Sequence, residues 1–211
     1  MKRFSIFLLF LIVGCALNAQ DDYRNYVLSR TMLNGTGTSY LDNITYYDGL
    51  GRPFQTVQKA VSDDKSLNKN LVTLQEYDAA GREWNSWLPT FAGSSDYLAP
   101  ASIKSSAPGY YDNDSRPYSQ PVYEASPLNR LTAQYGPGVV WYNAGRSVKT
   151  EYLLNTNASP LKCIKYGVNS TGGLTGNSTT FYTSGELSVV KTTDEDLNVS
   201  YSFTDKQGHG A

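Results

Sequence analysis

From Tyr40 onward, apolar and polar residues alternate with a period of two in short stretches that end at Gly, Asn, Asp and Pro clusters. A period of two places successive side chains on opposite faces of a strand, whereas an amphipathic helix repeats every three to four residues. No long stretch has helical spacing. The pattern predicts an all-β fold of mainly antiparallel hairpins, with strands at 43–47, 71–77, 147–154, 161–166, 186–191 and 198–204.

Two segments interrupt this alternation. Between Pro89 and Pro127, proline recurs among Ser, Gly and Tyr. Proline cannot donate a hydrogen bond to a strand ladder, so this segment is predicted to be a long irregular loop rather than a central strand. The Gly-, Asn-, Ser- and Thr-rich residues 167–180 are predicted to form a second loop.

The N-terminus has the pattern of an export signal. Lys2 and Arg3 precede an apolar run over 4–13, interrupted only by Ser5 and followed by small residues. This run is about half the length that a membrane-spanning helix needs. The sequence therefore predicts a signal peptide over 1–19, a β-rich module over 20–211, and export to the bacterial cell surface, the outer membrane or the extracellular space.

Two kinds of cleavage fit this leader. Residues 12–15 resemble a lipoprotein box, in which Cys15 becomes the lipidated N-terminus and provides the only contact with a membrane. Alternatively, the small residues Gly14 and Ala16 suit ordinary cleavage after Ala16, and cleavage after Ala19 would expose Gln20. The sequence leaves both alternatives open.

The composition narrows the range of partners. The chain has 17 Tyr beside 7 Phe, and Tyr favours strands. Its formal net charge is −1, and removal of Lys2 and Arg3 with the leader makes it more negative. Without a basic stripe, binding to nucleic acid is not expected.

An internal repeat is the most informative feature of the sequence. The hexapeptide at 47–52 recurs thirty positions later at 77–82 with four identities, which are Tyr47, Asp48, Gly51 and Arg52 against Tyr77, Asp78, Gly81 and Arg82. A degenerate third copy combines Tyr123 and Glu124 with Asn129 and Arg130, and a fourth runs from Asp205 through Gly208 to His209.

The spacing within the repeat predicts a hairpin turn. The Asp side chain can accept hydrogen bonds from backbone amides, and the Gly can adopt the positive φ that returns the chain. Asn129 can replace Gly because Asn tolerates positive φ. The Arg that follows begins the next strand, where its guanidinium can stack on a Tyr ring of a neighbouring repeat.

The repeated Tyr-Asp-x-x-Gly-Arg motif resembles the RHS/YD-repeat family. More narrowly, the span from Asn25 onward is similar to the N-terminal domain of unknown function in large bacterial RHS repeat-associated core proteins. The resemblance implies a YD-repeat-like β-sheet, with the following repeats of the same protein as partners and a β-shell that encloses a C-terminal cargo domain or toxin. The thirty-residue spacing, the missing Gly of the third copy and His209 in place of Arg depart from the pattern, so we expect a capping segment of a longer chain.

The sequence offers little for catalysis. Because His209 is the only histidine, no Ser/His/Asp, Cys/His or histidine-based zinc site is expected, and no cofactor or metal motif occurs. We expect Cys163 to be a buried structural thiol. The candidate acids for a weaker hypothesis, a carboxylate-based glycosidase, are Asp48, Asp78, Asp112, Asp114 and Glu124.

The main hypothesis is a non-catalytic structural or interaction module. The alternative is a surface carbohydrate-binding or adhesion module that uses the tyrosine-rich loop over 97–123. Trp84, Trp87 and Trp141 are interpreted as core residues on strand faces, with a carbohydrate platform as the second interpretation. The acidic residues 194–196 are expected at a solvated hairpin tip.

Overall fold

The computed structural model of this protein describes residues 24–61, 69–93, 96–176 and 180–211. Ten strands form one antiparallel sheet in the order β1-β2-β3-β4-β5-β6-β7-β8-β11-β12, and β9 and β10 form a separate hairpin. This architecture confirms the predicted all-β fold. The predicted leader, including Cys15, lies outside the described residues.

The strands are β1 (Asn25–Met32), β2 (Tyr40–Tyr47), β3 (Pro53–Gln58), β4 (Leu71–Tyr77), β5 (Glu83–Phe91), β6 (Tyr118–Tyr123), β7 (Leu131–Tyr135), β8 (Val148–Leu154), β9 (Gly167–Val168), β10 (Leu174–Thr175), β11 (Ser188–Thr193) and β12 (Val199–Thr204). Helix α1 (Pro100–Tyr110) follows β5, and the short helix α2 (Val139–Asn143) follows β7. Within the described ranges, no helix combines the length and the apolar character that crossing a membrane requires.

The alternation of side chains gives the sheet two different faces. On the helix face, which α1 covers, a core cluster forms from Ile44, Tyr46, Val57, Val72, Leu74 and Ile103. The opposite face, called here the far face, carries the intervening residues, among which Thr45, Thr56 and Thr73 lie side by side on three strands. Burying one face while the other stays polar is typical of antiparallel sheets.

The connections alternate between the two ends of the sheet because consecutive strands run in opposite directions. The turns that join β2 to β3, β4 to β5 and β6 to β7 therefore lie at one end, called here the turn end. The other end, called here the loop end, carries the connections that contain α1 and α2. The repeated motifs at 47–52 and 77–82, and the third copy at 123–130, consequently lie at the same end.

The prediction of one irregular loop between Pro89 and Pro127 is wrong. Residues 100–110 form α1, and Pro100 is at the start of the helix. A backbone N–H at this position has no intrahelical acceptor, so proline costs the helix no hydrogen bond there. Strand β6 lies inside the sheet although it contains Pro121. It pairs with β5 only at Tyr118 and Ser119, so Pro121 lies beyond that ladder and removes no hydrogen bond from it.

The strand predicted at 161–166 is also wrong. Only Ile164 makes a bridge there, with Phe181. The second predicted loop contains the two-residue strands β9 and β10. A period-two pattern indicates an extended segment but does not provide a partner strand, and the ladder between β8 and β11 leaves residues 161–166 outside the main sheet.

Candidate functional site

The turns after β2 and β4 share one geometry. The Asp48 Oδ1 accepts hydrogen bonds from the amides of Leu50 and Arg52, both at 2.9 Å, and its Oδ2 accepts one from the Arg52 Nε at 2.8 Å. The Gly51 amide closes the turn by donating to the Asp48 carbonyl at 3.0 Å. Asp78 makes the same three bonds with Ala80 and Arg82. Each carboxylate therefore stabilises the backbone of its turn and also orients the side chain of the arginine at the end of the turn.

The backbone of these turns requires a residue that tolerates positive φ. Gly51 and Gly81 have φ values of +78° and +80°. The Arg52 amide and guanidinium hold the pKa of the Asp48 carboxyl below its usual range, and Arg82 does the same for the pKa of Asp78. Both carboxylates are thus ionised hydrogen-bond acceptors at neutral pH.

The third turn, between β6 and β7, uses a longer side chain. Glu124 accepts two hydrogen bonds from the guanidinium of Arg130, at 3.0 Å from Nε and 2.8 Å from Nη2, and a third from the Ser126 hydroxyl at 2.6 Å. These contacts, with the Arg130 bond foremost, lower the pKa of Glu124 to about 2. Asn129 occupies the position of the Gly with a φ of +52°.

Each arginine of these turns reaches the next hairpin. The guanidinium carbons lie over tyrosine rings of the following even-numbered strand, with distances to the ring centroid of 4.3 Å for Arg52 and Tyr77, 4.5 Å for Arg82 and Tyr123, and 4.4 Å for Arg130 and Tyr152. We call these three pairs the Arg–Tyr ladder. A guanidinium over an aromatic face is attractive and remains partly solvated, so each pair ties one hairpin to the next.

Further contacts strengthen the ladder. The Tyr77 hydroxyl donates to the Pro53 carbonyl at 2.7 Å, and the Tyr152 hydroxyl donates to the Leu131 carbonyl at 3.1 Å. Arg82 also donates to the Asn129 side chain at 2.9 Å, which links the second turn to the third.

Arg24 directly precedes β1, as the other arginines precede their strands, but it contacts the helix face instead. Its guanidinium carbon lies 3.6 Å from the ring centroid of Tyr97. Tyr97 in turn packs edge-on against the buried Tyr46, with their centroids 5.2 Å apart. Arg24 therefore helps to close the core beneath β1 and β2.

Three more turns have the same pattern of backbone bonds. Asp205 accepts the amides of Gln207 and His209 at 2.8 Å, and Gly208 has a φ of +88°. The side chains of Asn169 and Asp194 also cap amides two and four residues later, although neither residue was identified from the sequence as a copy of the repeated turn. An Asp or Asn between two predicted strands is the signal that could have found them.

The turn at Asp194 is the hairpin tip expected for residues 194–196, and it joins β11 to β12. Leu197, rather than Gly, takes the positive φ there, at +70°. After β12, the turn at Asp205 brings Gly210 opposite Thr204 and lets the Ala211 amide donate to the Phe203 carbonyl at 3.0 Å.

A polar network links α1 to the sheet on the helix face. Glu76 accepts a hydrogen bond from Lys104 at 2.8 Å, one from the Trp87 indole at 2.9 Å and one from Asn85 at 3.0 Å. Burial opposes the charge of Glu76, but these three donors together hold its pKa below the usual range. The bonds to Trp87 and Lys104 fix β4, β5 and α1 relative to one another.

Arg116 is a buried cation that the sequence analysis did not single out. It is only 5% exposed, and its guanidinium carbon lies 3.7 Å from the ring centroid of Tyr142 and 4.8 Å from that of Tyr118. Its Nη2 donates to Gln120 at 2.9 Å. Tyrosine faces thus surround the charge and hold α2 against β6.

The three tryptophans occupy different environments. Trp87 packs against the core, Trp84 is 36% exposed on the far face, and Trp141 lies in α2 and is 50% exposed. The interpretation of all three as strand-face core residues is therefore right only for Trp87, because Trp141 belongs to a helix and Trp84 lies on a strand but outside the core.

The predicted tyrosine-rich loop uses several of its rings in packing. Tyr97 contacts the core, the Tyr111 hydroxyl donates to the Pro89 carbonyl at 2.6 Å, and Tyr118 packs on Trp87 with their centroids 4.7 Å apart. Tyr110 is 50% exposed and lies edge-on to Phe91. Tyr97, Tyr111 and Tyr118 therefore serve to pack the segment against the sheet, while half of the Tyr110 surface stays exposed.

The remaining candidate residues have local roles. Asp114 accepts the amides of Arg116 and Val139, and so caps the start of α2. Cys163 is half-buried, and burial raises the pKa of its thiol. In the part of the chain that the structure describes, no three His, Cys, Asp or Glu side chains come together in a way that could hold a metal ion. Asp112 has a positive φ of +51° in the turn after α1.

Comparison with known proteins places the chain in a family. Residues 20–154 match the family described as a domain of unknown function, DUF6443. The chain belongs to the DUF6443 family. No curated protein and no solved structure matches it. The matched part of this DUF6443 chain contains all three pairs of the Arg–Tyr ladder and both helices.

Proposed function

We propose that this DUF6443 chain is a non-catalytic structural module at the start of an exported RHS/YD-repeat protein. The Arg–Tyr ladder is the observation that carries this proposal. Each turn motif supplies both a hairpin and a contact to the next hairpin, so the repeat specifies how successive units are placed side by side. Such a module extends a sheet without needing an active site.

The continuous order of the sheet supports a role in which further strands are added. From β1 to β8, every strand pairs with its neighbours in the chain. Beyond the excursion over 155–187, β11 and β12 resume the same antiparallel pairing. The turn at Asp205 then directs the backbone along β12. The partners in this proposal are following repeats of the same protein, which continue the sheet from β12 into a β-shell around a cargo domain or toxin.

Export is part of the proposal and rests on the predicted leader. Residues 1–19 are expected to be removed, and lipidation of Cys15 would attach the module to a membrane. Intact-mass analysis of the protein from cell envelopes distinguishes an N-terminal diacylated Cys15 from ordinary cleavage after Ala16 or Ala19. An intact Met1 would contradict the proposed export.

The structural proposal is tested by amide hydrogen exchange at β12. We expect its amides to exchange rapidly in the 211-residue chain, where β12 has β11 on one side and only the short return at Gly210 on the other. In the intact gene product isolated from the bacterial envelope, the same amides should be strongly protected. The amides of β4, which pair on both sides, provide the internal control.

Equal exchange of β12 in both samples would refute the addition of strands at this edge. A hydrolytic activity that disappears with one of the turn carboxylates, while the fold is retained, would refute the non-catalytic assignment.

A further inference from the structure

The far face carries a shallow groove beside the Arg–Tyr ladder, which contributes Tyr123 to its lining. Two adjoining depressions of about 360 Å³ and 290 Å³ cross this face between β3 and β7. Both are lined by Gln75, Glu83 and Ser86, so they form one continuous surface. We call it the far-face groove and define it by Gln75, Glu83, Trp84, Ser86, Ser119 and Tyr123.

The floor of the groove offers uncharged hydrogen-bonding groups. Gln75, Ser86 and Ser119 are direct neighbours on β4, β5 and β6. The Gln75 amide nitrogen donates to the Glu76 carbonyl at 2.8 Å, which leaves its Oε1 as an acceptor. Among the described residues, neither serine hydroxyl has a hydrogen-bond partner. This row therefore presents one acceptor and two hydroxyls, each able to donate and accept.

Aromatic rings line one side of the groove. Trp84 is 36% exposed, whereas Trp87, three positions later on the opposite face, packs in the core. Tyr123 has Arg82 over one face of its ring, and among the described residues its hydroxyl has no acceptor. An exposed indole beside a free phenol provides an apolar platform with a polar edge.

Glu83 is the single carboxylate of the groove. It forms no ion pair with any described residue, although Arg82 precedes it. Burial raises the pKa of Tyr123 and of Tyr77, and the negative charge of Glu83 adds to both effects. Glu83 thus lies between two phenols as an acceptor that is not already neutralised.

We propose that the far-face groove binds a neutral oligosaccharide. Sugar hydroxyls donate to Gln75 and Glu83 and exchange hydrogen bonds with Ser86 and Ser119, while the apolar face of one sugar ring packs on Trp84. The lining has no lysine, and the free charge is negative, which disfavours phosphorylated or acidic glycans. Hydrolysis of a glycosidic bond generally uses two carboxylates, and the lining provides one, so the site binds without cleaving.

The position of the groove favours a saccharide over a peptide strand. An extended peptide gains its affinity from unpaired backbone groups at the edge of a sheet. The groove instead lies over β4 to β6, which pair on both sides. An occupant there has only side chains to contact, which suits a ligand that is rich in hydroxyls.

The binding site goes beyond the structural proposal and does not depend on it, because the groove lies within a single chain. Isothermal titration calorimetry of the purified 211-residue chain with cellohexaose, maltohexaose and chitohexaose provides the test. We expect saturable binding of at least one of the three. Trp84→Ala should weaken that binding at least about tenfold through loss of ring stacking, while Trp141→Ala, which removes an exposed tryptophan elsewhere, should change it less than about twofold.

A second pair of variants tests the polar floor without removing a large side chain. Combined Ser86→Val and Ser119→Val should weaken binding at least about fivefold. Thr192→Val, a similar change on the far face of β11, should leave it unchanged. Far-ultraviolet circular dichroism and thermal melts of all variants establish that each remains folded.

The proposal fails if none of the three hexasaccharides binds at millimolar concentration. It also fails if binding is lost in Trp141→Ala but retained in Trp84→Ala, which would place the site on α2. Preferential binding of a neutral Ser/Gly-rich hexapeptide over all three saccharides would overturn the assignment of the ligand class.

Discussion

The guanidinium of Arg52 lies over the ring of Tyr77, 4.3 Å from its centroid, and joins the turn after β2 to the end of β4. The same guanidinium is held from the other side by Asp48, whose Oδ2 is 2.8 Å from Nε. A turn residue therefore orients the arginine that reaches the neighbouring hairpin. One arginine side chain thus contributes both to its own turn and to the contact with the next hairpin.

The Arg–Tyr ladder should make adjacent hairpins energetically coupled. We expect a double-mutant cycle of Arg82→Met and Tyr123→Leu, measured in urea melts, to give a coupling free energy of about 0.5 to 1 kcal/mol. As a matched control, Arg82→Met combined with Tyr152→Leu should be additive, because Arg82 does not stack on Tyr152. A coupling of zero between Arg82 and Tyr123 would mean that the stacking contributes nothing in solution.

Two glycines with the same backbone conformation should respond differently to alanine. Gly51→Ala places a Cβ at positive φ in open space and should cost about 1 kcal/mol of unfolding free energy. Gly81→Ala has the same strain and also places its Cβ 2.9 Å from Nη1 of Arg52. We expect Gly81→Ala to be less stable than Gly51→Ala by about a further 0.5 kcal/mol, because the end of the Arg52 side chain must shift away from the new Cβ and its contact with Tyr77 is weakened. Equal denaturation midpoints would contradict this contact.

The stability of the third turn should depend on pH. The folded-state pKa of Glu124 is about 2, below the ordinary carboxyl value, so its stabilising effect is present above about pH 4.5 and is lost as the pH falls toward 2. Arg130→Met removes the main donor and should raise the pKa of Glu124 toward the ordinary value. Carboxyl carbon shifts followed by NMR from pH 2 to 7 measure it directly. Arg146→Met, which removes an exposed arginine at the loop end, should leave the Glu124 titration unchanged.

The buried Arg116 should be far more important for stability than an exposed arginine. Arg116→Met leaves Gln120 without its donor and removes the charge that packs on Tyr142, so we expect a loss of about 2 to 4 kcal/mol. Arg116→Lys should also destabilise, since an ammonium lacks the planar surface. Arg146→Met, at a position whose side chain is 46% exposed, should change stability by less than about 0.5 kcal/mol in the same chemical denaturation series.

The sequence predicted the β class, the hairpins around β2, β4, β8, β11 and β12, and the turn chemistry at Asp48 and Asp78. These features depend on local patterns, namely period-two alternation and an Asp four residues before an Arg. Helix α1 was missed because its prolines, Pro100 and Pro108, indicate a loop when they are considered without the sheet beneath them. In such segments, tertiary contacts rather than local propensity determine the secondary structure.

The candidate sites likewise include some that local sequence predicts and others that only tertiary structure creates. The possible contact between a turn arginine and a neighbouring tyrosine followed from side-chain chemistry. The far-face groove could not be predicted, because Gln75, Ser86 and Ser119 are brought together only by strand register. Arg116 was missed because nothing in the local sequence indicates that three tyrosines surround it.

The separation of short turns from longer connections has an evolutionary consequence. Between β2 and β8, the turn end has only the compact connections that place the arginines, while the loop end accommodates α1 and α2. Insertions or deletions at the loop end leave the spacing of the arginines and tyrosines unaltered. We therefore expect homologous chains to differ in length mainly there, and gene fusions or epitope tags to be tolerated at that end and not at the other.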